Sequence, residues 1–161
     1  MNNKWAVNAS PLILLAKIGQ ADLLPKLTTE LVIPASVVVE IHAGPATDPA
    51  QMWLRAAGQK AIQPDPPVTA EIAAWDLGAG ETAVLNWVRQ HPDFEAILDD
   101  RAARKCAHVH NLSVRGTLGV ILAAKVRRLL PAAKPVCMEL VRAGFHIQPT
   151  LLSESLRLVG E

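Results

Sequence analysis

Cysteine is nearly missing from this chain. Cys106 and Cys137 are the only two, and no C-x-x-C spacing joins them. Neither a structural zinc site nor a disulfide scaffold is indicated, and the pair reads as reduced, buried thiols of a cytoplasmic protein. Long apolar runs are missing too. The longest, Pro11 to Ala16 and Gly119 to Ala124, fall far short of the ~20 residues that cross a bilayer. No long apolar region and no small-residue cleavage site follow Lys4, so no secretion signal is expected. There is no G-x-x-x-x-G-K-[ST] phosphate loop, no H-E-x-x-H zinc helix and no G-x-S-x-G nucleophile elbow. Gly78-Ala79-Gly80 lacks the next glycine of a dinucleotide fingerprint and reads as a helix entrance. The five histidines show no ligand spacing, and His108 and His110, two apart, share no helical face.

What is present is a chain of 161 residues, half of them hydrophobic. That is one domain of ordinary size with enough apolar surface for a core, not a disordered segment. Net charge is only +1, but it is unevenly placed. Residues 1–100 carry 6 Lys/Arg against 12 Asp/Glu, and residues 101–161 carry 10 against 3. Solvated helix faces explain each cation singly. An acid-rich half facing a basic half across a cleft would attract a phosphate backbone.

Apolar runs alternate between strand and helix character. Strands are expected at Lys4 to Asn8, Leu31 to Ile33, Ala61-Ile62, Ala96 to Leu98 and Leu112 to Val114. Helices are expected from Ser10-Pro11, with Ser10 as the N-cap, and over 36–43, 48–57, 68–75, 81–90, 101–110 and 117–129, with Thr117 as a cap. Terminal helices are expected over 134–143 and 150–158. Such alternation predicts a parallel sheet with right-handed crossovers. Trp5 belongs to the core. Trp53, Trp75 and Trp87 read as packing residues, with Trp53 or Trp75 lining a partner groove as the alternative.

Four acidic positions stand near strand-to-helix handovers: Glu40, Glu81, Asp99 and Asp100. Ligands of open α/β sheets bind outside the carboxyl ends of the strands. Hard divalent cations take oxygen ligands, one or two of them protein carboxylates. A metal-dependent phosphodiester site is therefore the functional reading. Each acid also has a structural reading. Glu81 suits a helix dipole, Asp100 an N-cap, Asp99 a pairing with Arg101 or Arg104, and Glu40 the exposed position of a buried helix.

Several stretches together resemble a known family. They are Val7-Asn8-Ala9-Ser10-Pro11-Leu12-Ile13, Val32-Ile33-Pro34 through Glu40, Gly80-Glu81, Leu98-Asp99-Asp100-Arg101-Ala102-Ala103-Arg104 and Gly116-Thr117-Leu118-Gly119-Val120. The order resembles the PIN-domain superfamily, in particular a prokaryotic branch related to VapC-type toxins, over nearly the whole chain to about Ile147. The resemblance implies a three-layer α/β/α sandwich around a parallel sheet of about five strands, in a single domain over 1–161 with helices 134–161 packed on or extending it. It implies a Mg²⁺- or Mn²⁺-dependent endoribonuclease, often the toxin of a toxin–antitoxin pair and dimeric. Its acidic cluster falls on Asn8, Glu40, Glu81 and Asp100, with Asp99 beside the last. Asn8, Glu40, Glu81 and Asp100 would be metal ligands, and Glu40, Glu81, Asp99 and Asp100 catalytic. Ser10, Arg101, Arg104, Arg115 and Thr117 would meet the RNA. The departure is Asn8, which stands where the family has a carboxylate. An amide oxygen still coordinates but adds no charge, so the alternatives are a catalytically silent RNA- or protein-binding module and a nuclease of RNA processing.

Overall fold

The computed structural model describes residues 3–161. Five strands form one sheet: β1 (Lys4–Val7), β2 (Glu30–Pro34), β3 (Ile62–Gln63), β4 (Phe94–Ile97) and β5 (Val114–Arg115). Their spatial order is β3-β2-β1-β4-β5, and every neighbouring pair is parallel. The central strand β1 sets Lys4 opposite both Glu30 and Phe94. Trp5, Ala6 and Val7 are buried, as are all four residues of β4. Strands apolar on both faces require helices on both faces, and the fold is a three-layer α/β/α sandwich.

The helices are α1 (Ala9–Lys17), α2 (Leu23–Leu27), α3 (Ala35–His42), α4 (Pro49–Trp53), α5 (Ala70–Ala73), α6 (Ala79–Gln90), α7 (Arg101–Val109), α8 (Thr117–Val126), α9 (Lys134–Arg142) and α10 (Pro149–Leu158). Among the described residues no helix is long and apolar enough to cross a membrane. One continuous core runs from Trp5 to Leu156 and includes Leu130, Cys137 and Leu140 from the C-terminal third. The Glu161 carboxylate accepts from the Ala133 and Lys134 amides at 2.6 and 3.2 Å. That tie brings the residues after α10 to the start of α9.

Several boundaries differ from the sequence expectation, each for a local reason. Ser10 is not the cap of α1. The Asn8 amide is still bonded to the Ile97 carbonyl at 3.0 Å, so the chain leaves the sheet only at Asn8, and Asn8 takes the cap position. The helix expected over 48–57 is α-helical only to Trp53 and then winds as a π turn over Leu54–Gly58. Gly58 permits this close approach, because a Cβ there would stand 2.9 Å from Leu54 and from the Trp53 ring. The helix expected over 68–75 shrinks to Ala70–Ala73, since the Thr69 amide and hydroxyl both donate to Asn86. Strand β5 begins at Val114, not Leu112, because the Leu112 amide closes α7 on Ala107 with Asn111 at φ 55°. Helix α8 stops at Val126, where Arg128 at φ 61° and the Leu129 amide on Ala124 end it.

Candidate active site

The strand order places a site before any side chain is considered. From β1 the chain winds outward through β2 to β3, then crosses back to β4 on the other side of β1 and continues outward to β5. The winding direction reverses between β1 and β4. In open α/β sheets, ligands bind outside the carboxyl ends of the strands at that reversal. Asn8 follows β1, and Asp99 and Asp100 follow β4.

Helix α6, which packs against β1, β2 and β4, delivers Glu81 in its first turn, where the helix dipole favours a carboxylate. Helix α3 packs against α6 and brings Glu40 beside it. Asn8 is only 2% exposed. Its amide nitrogen donates to Glu81 Oε1 at 3.2 Å. A carboxylate accepts only from the nitrogen end, so the carbonyl end of Asn8 must face the other way. Asn8 Oδ1 is buried there with no protein hydrogen-bond partner. An orphaned buried acceptor costs on the order of 1–3 kcal/mol.

Gly80 explains what that oxygen faces. A Cβ at Gly80 would lie 2.9 Å from Asn8 Oδ1 and 2.9 Å from Glu40 Oε2. The missing side chain thus leaves a gap that an amide oxygen and a carboxylate oxygen both border. The Glu40 carboxyl is raised above the usual carboxylate range, first by burial and then by the Glu81 charge. The residue as a whole is exposed and does not line the switch-point cavity of Asn8, Glu81 and Asp100.

A cavity of about 370 Å³ lies at the switch point, lined by Asn8, Ser10, Glu81, Asp99 and Asp100 and closed by Gly144, Phe145 and His146. Asp100 is the N-cap of α7. Its Oδ1 accepts from the Ala103 amide at 2.8 Å, which leaves Oδ2 without a protein donor. Asp99 is committed differently. Its Oδ1 accepts from the Thr117 amide at 2.8 Å and its Oδ2 from the Thr117 hydroxyl at 2.5 Å. Asp99 therefore caps α8 across the sheet, and pairs with neither Arg101 nor Arg104. Thr117 is the first residue of α8, not its cap, and is fully buried. With its donors spent on Asp99, it ties β4 to α8.

The cations expected to meet RNA divide as well. Arg115 is bound by the largely buried Glu95 at 2.8 Å and lies over the Trp5 ring at 5.6 Å. Arg104 donates to the Leu98 carbonyl at 3.3 Å, and Arg101 is exposed. The tryptophans are engaged within the fold. Trp5 is core, Trp53 donates to Asp22 at 2.8 Å, Trp75 to His110 at 3.3 Å, and Trp87 stacks on His91.

Sequence reasoning missed two contributors. Gly80 reads in the sequence as a helix entrance and as part of the family-like Gly80-Glu81, but not as a site residue, yet its lack of a side chain makes the gap. The turn Gly144 to His146 was assigned no role, and no spacing signal in the sequence connects it with Asn8 or Asp100.

The donor set suits a hard divalent cation. It is all oxygen, it includes an unpartnered buried acceptor, and two of its oxygens face the place that a Cβ would fill at Gly80. Among the described residues, no three His, Cys, Asp or Glu side chains stand close enough together to hold a metal by themselves. The Asn8 oxygen and water would complete the shell.

No curated protein and no solved structure matches this chain. A family model described as DUF3368, PIN domain, matches residues 4–161. PIN domains are in general nucleases that use divalent metals, which agrees with oxygen donors gathered at the switch point. With the match covering all but the first three residues and the parallel sheet beneath it, the chain belongs to the PIN-domain family.

Proposed function

We propose that this protein is a Mg²⁺- or Mn²⁺-dependent endoribonuclease, the toxin of a toxin–antitoxin pair, hydrolysing RNA phosphodiester bonds in the cytoplasm as a homodimer. The observation that carries the metal-dependent reading is Asn8 Oδ1, buried without a partner and facing the same gap as Glu40 Oε2. The ligands would be Asn8, Glu40, Glu81 and Asp100. A divalent cation held there supplies a water of lowered pKa and neutralises charge developing on the phosphorus centre.

The protein's own groups do the rest. Glu81 fixes the Asn8 amide so that its oxygen, not its nitrogen, faces the gap. Glu40, with its raised pKa, holds a proton more readily than an ordinary glutamate and gives it up when a cation enters. Asp100 offers Oδ2 while Oδ1 stays on the Ala103 amide, so the free oxygen is held in place by the helix it caps. Asp99 sets the approach of α8 and the wall of the cavity. Ser10, exposed at the same cavity, is placed to donate to a phosphate oxygen.

A second reading is supported by one specific observation. Among the described residues no three acids stand close enough together to hold a metal by themselves, which favours a binding module that takes RNA or protein without cutting.

Mn²⁺ titration of the wild type, Asp100→Asn and Glu40→Gln, with RNA cleavage measured in parallel, separates the two. Asp100→Asn keeps an acceptor for the Ala103 amide, so the helix cap survives. Both variants should lose at least the roughly 10–100-fold in metal affinity that weaker perturbations of metal sites cost, and cleavage with it. Cleavage unchanged in Asp100→Asn removes the assigned mechanism. Mn²⁺ binding by a wild type that cuts no RNA establishes the binding module. A small upstream frame that suppresses toxicity tests the antitoxin, and light scattering tests the dimer.

A further inference from the structure

Helix α7 starts at the acidic cavity and carries one kind of side chain along its outward face. Arg101, Arg104, Lys105 and His108 stand at i, i+3, i+4 and i+7, which is a single stripe of an α-helix. The opposite face, Ala103, Cys106 and Ala107, is fully buried and seats the helix in the core. The stripe spans about 10 Å at 1.5 Å per residue. The four side chains line a hollow of about 490 Å³ together with Asp99 and Val109. Asp99 also lines the acidic cavity, so the two hollows share a wall.

The cations of this stripe are not consumed by the fold. Three other basic residues of the described chain are in ion pairs: Arg115 with Glu95, Arg89 with Glu71, and Lys4 with Glu30 and Asp93. Among the described residues no carboxylate lies within ion-pair distance of Arg101, Arg104, Lys105 or His108. Arg104 is anchored to the Leu98 carbonyl, which steadies its guanidinium at the junction of the two hollows.

We propose that α7 is a phosphate track, on which two consecutive phosphates of a single-stranded RNA are seated as the strand leaves the acidic cavity. The inference rests on the nuclease reading and adds the path of the substrate to it. No Phe, Tyr or Trp stands on the stripe, and the contact assigned to it is with the phosphate backbone. Arg115, tied to Glu95, lies off the track.

The test is fluorescence anisotropy of a fluorescein-labelled 12-nucleotide oligouridylate in EDTA, over a range of KCl concentrations. Arg101→Ala/Lys105→Ala should weaken binding at least about fivefold. It should also flatten the slope of log K against log salt by about 1.4, at 0.7 per lost single-strand phosphate contact. An oligoadenylate should show the same loss. Arg101→Lys/Lys105→Arg should restore both quantities, and Arg142→Ala/Arg157→Ala, at exposed cations of α9 and α10, should change neither. An unchanged slope in the α7 variant, or an equal loss in the α9/α10 variant, overturns the track. A decaglutamate peptide that competes with equal affinity and the same dependence on Arg101 and Lys105 overturns it in favour of an acidic protein partner. Cleavage of the same oligonucleotide in Mn²⁺ is read separately. Cleavage without the slope change sinks only the track, and the slope change without cleavage sinks only the nuclease.

Discussion

Asn8→Asp restores a carboxylate where this chain has an amide, and its consequence follows from one contact. The Asn8 amide nitrogen donates to Glu81 Oε1 at 3.2 Å, inside a site where Asn8 is 2% exposed. The substitution turns that hydrogen bond into two like charges in contact, with Glu40 on the other side of the gap. Two unit charges about 4 Å apart at an effective dielectric of about 20 repel by about 4 kcal/mol. Keeping a proton instead costs about 1.4 kcal/mol per pH unit above the ordinary carboxyl pKa of about 4, so it gives little relief at pH 7.5 and much more at pH 5. The metal-free variant should therefore lose about 2–4 kcal/mol at pH 7.5 and much less at pH 5. At about 2–4 °C per kcal/mol for a domain of this size, the melting temperature should fall by roughly 5–15 °C at pH 7.5. A cation in the gap reverses the sign, because the added charge then becomes a ligand. Thermal melts of wild type and variant at both pH values, in EDTA and in Mn²⁺, read all three effects. A variant that melts with the wild type in EDTA at pH 7.5, or gains no larger Mn²⁺ shift, refutes the placement of Asn8 in an ion site.

Two further outcomes use the same melts. The Glu40 pKa is raised in the folded state, chiefly by burial and then by Glu81. The folded protein thus holds that proton more tightly than the unfolded chain does. Glu40 favours folding below its ordinary range, and that contribution is lost as pH rises through the elevated folded value. Metal-free wild type should become less stable over this interval, Glu40→Gln should not show this component, and an identical pH profile in the two would contradict it. Gly80→Ala puts a Cβ 2.9 Å from both Asn8 Oδ1 and Glu40 Oε2. Both neighbours are side-chain ends that can turn aside, and alanine favours the helix by up to about 1 kcal/mol. The fold should melt within about 3 °C of the wild type while the Mn²⁺ shift disappears; a retained shift would mean that the ion does not occupy the gap.

How much of this was legible in the residues varies from element to element. The core strands β1 and β2 and the helix faces follow from apolar periodicity, a local property, and they lie where periodicity places them. Glu40, Glu81 and Asp100 were recognisable because each occupies a strand end or a helix position that suits a carboxylate. The ends of the short elements were not legible. Thr69 is drawn to Asn86, seventeen residues away, and Leu112 is spent on closing α7, and neither competition is visible in the neighbouring residues.

The amino-acid sequence by itself determined the alternation of strand and helix, the family, the all-oxygen donor set and the basic stripe of α7, since all of these depend on spacing along one chain. Tertiary structure alone decided what each group is free to do. Asp99 and Asp100 are adjacent and chemically identical, yet α8 binds both oxygens of the first while α7 takes only one oxygen of the second. Arg115 and Arg101 carry the same charge, yet the neighbouring strand supplies Glu95 to one and nothing to the other. Pattern along a chain states which groups exist, but hydrogen bonds and ion pairs are formed between distant segments, and only their packing shows which groups remain unspent.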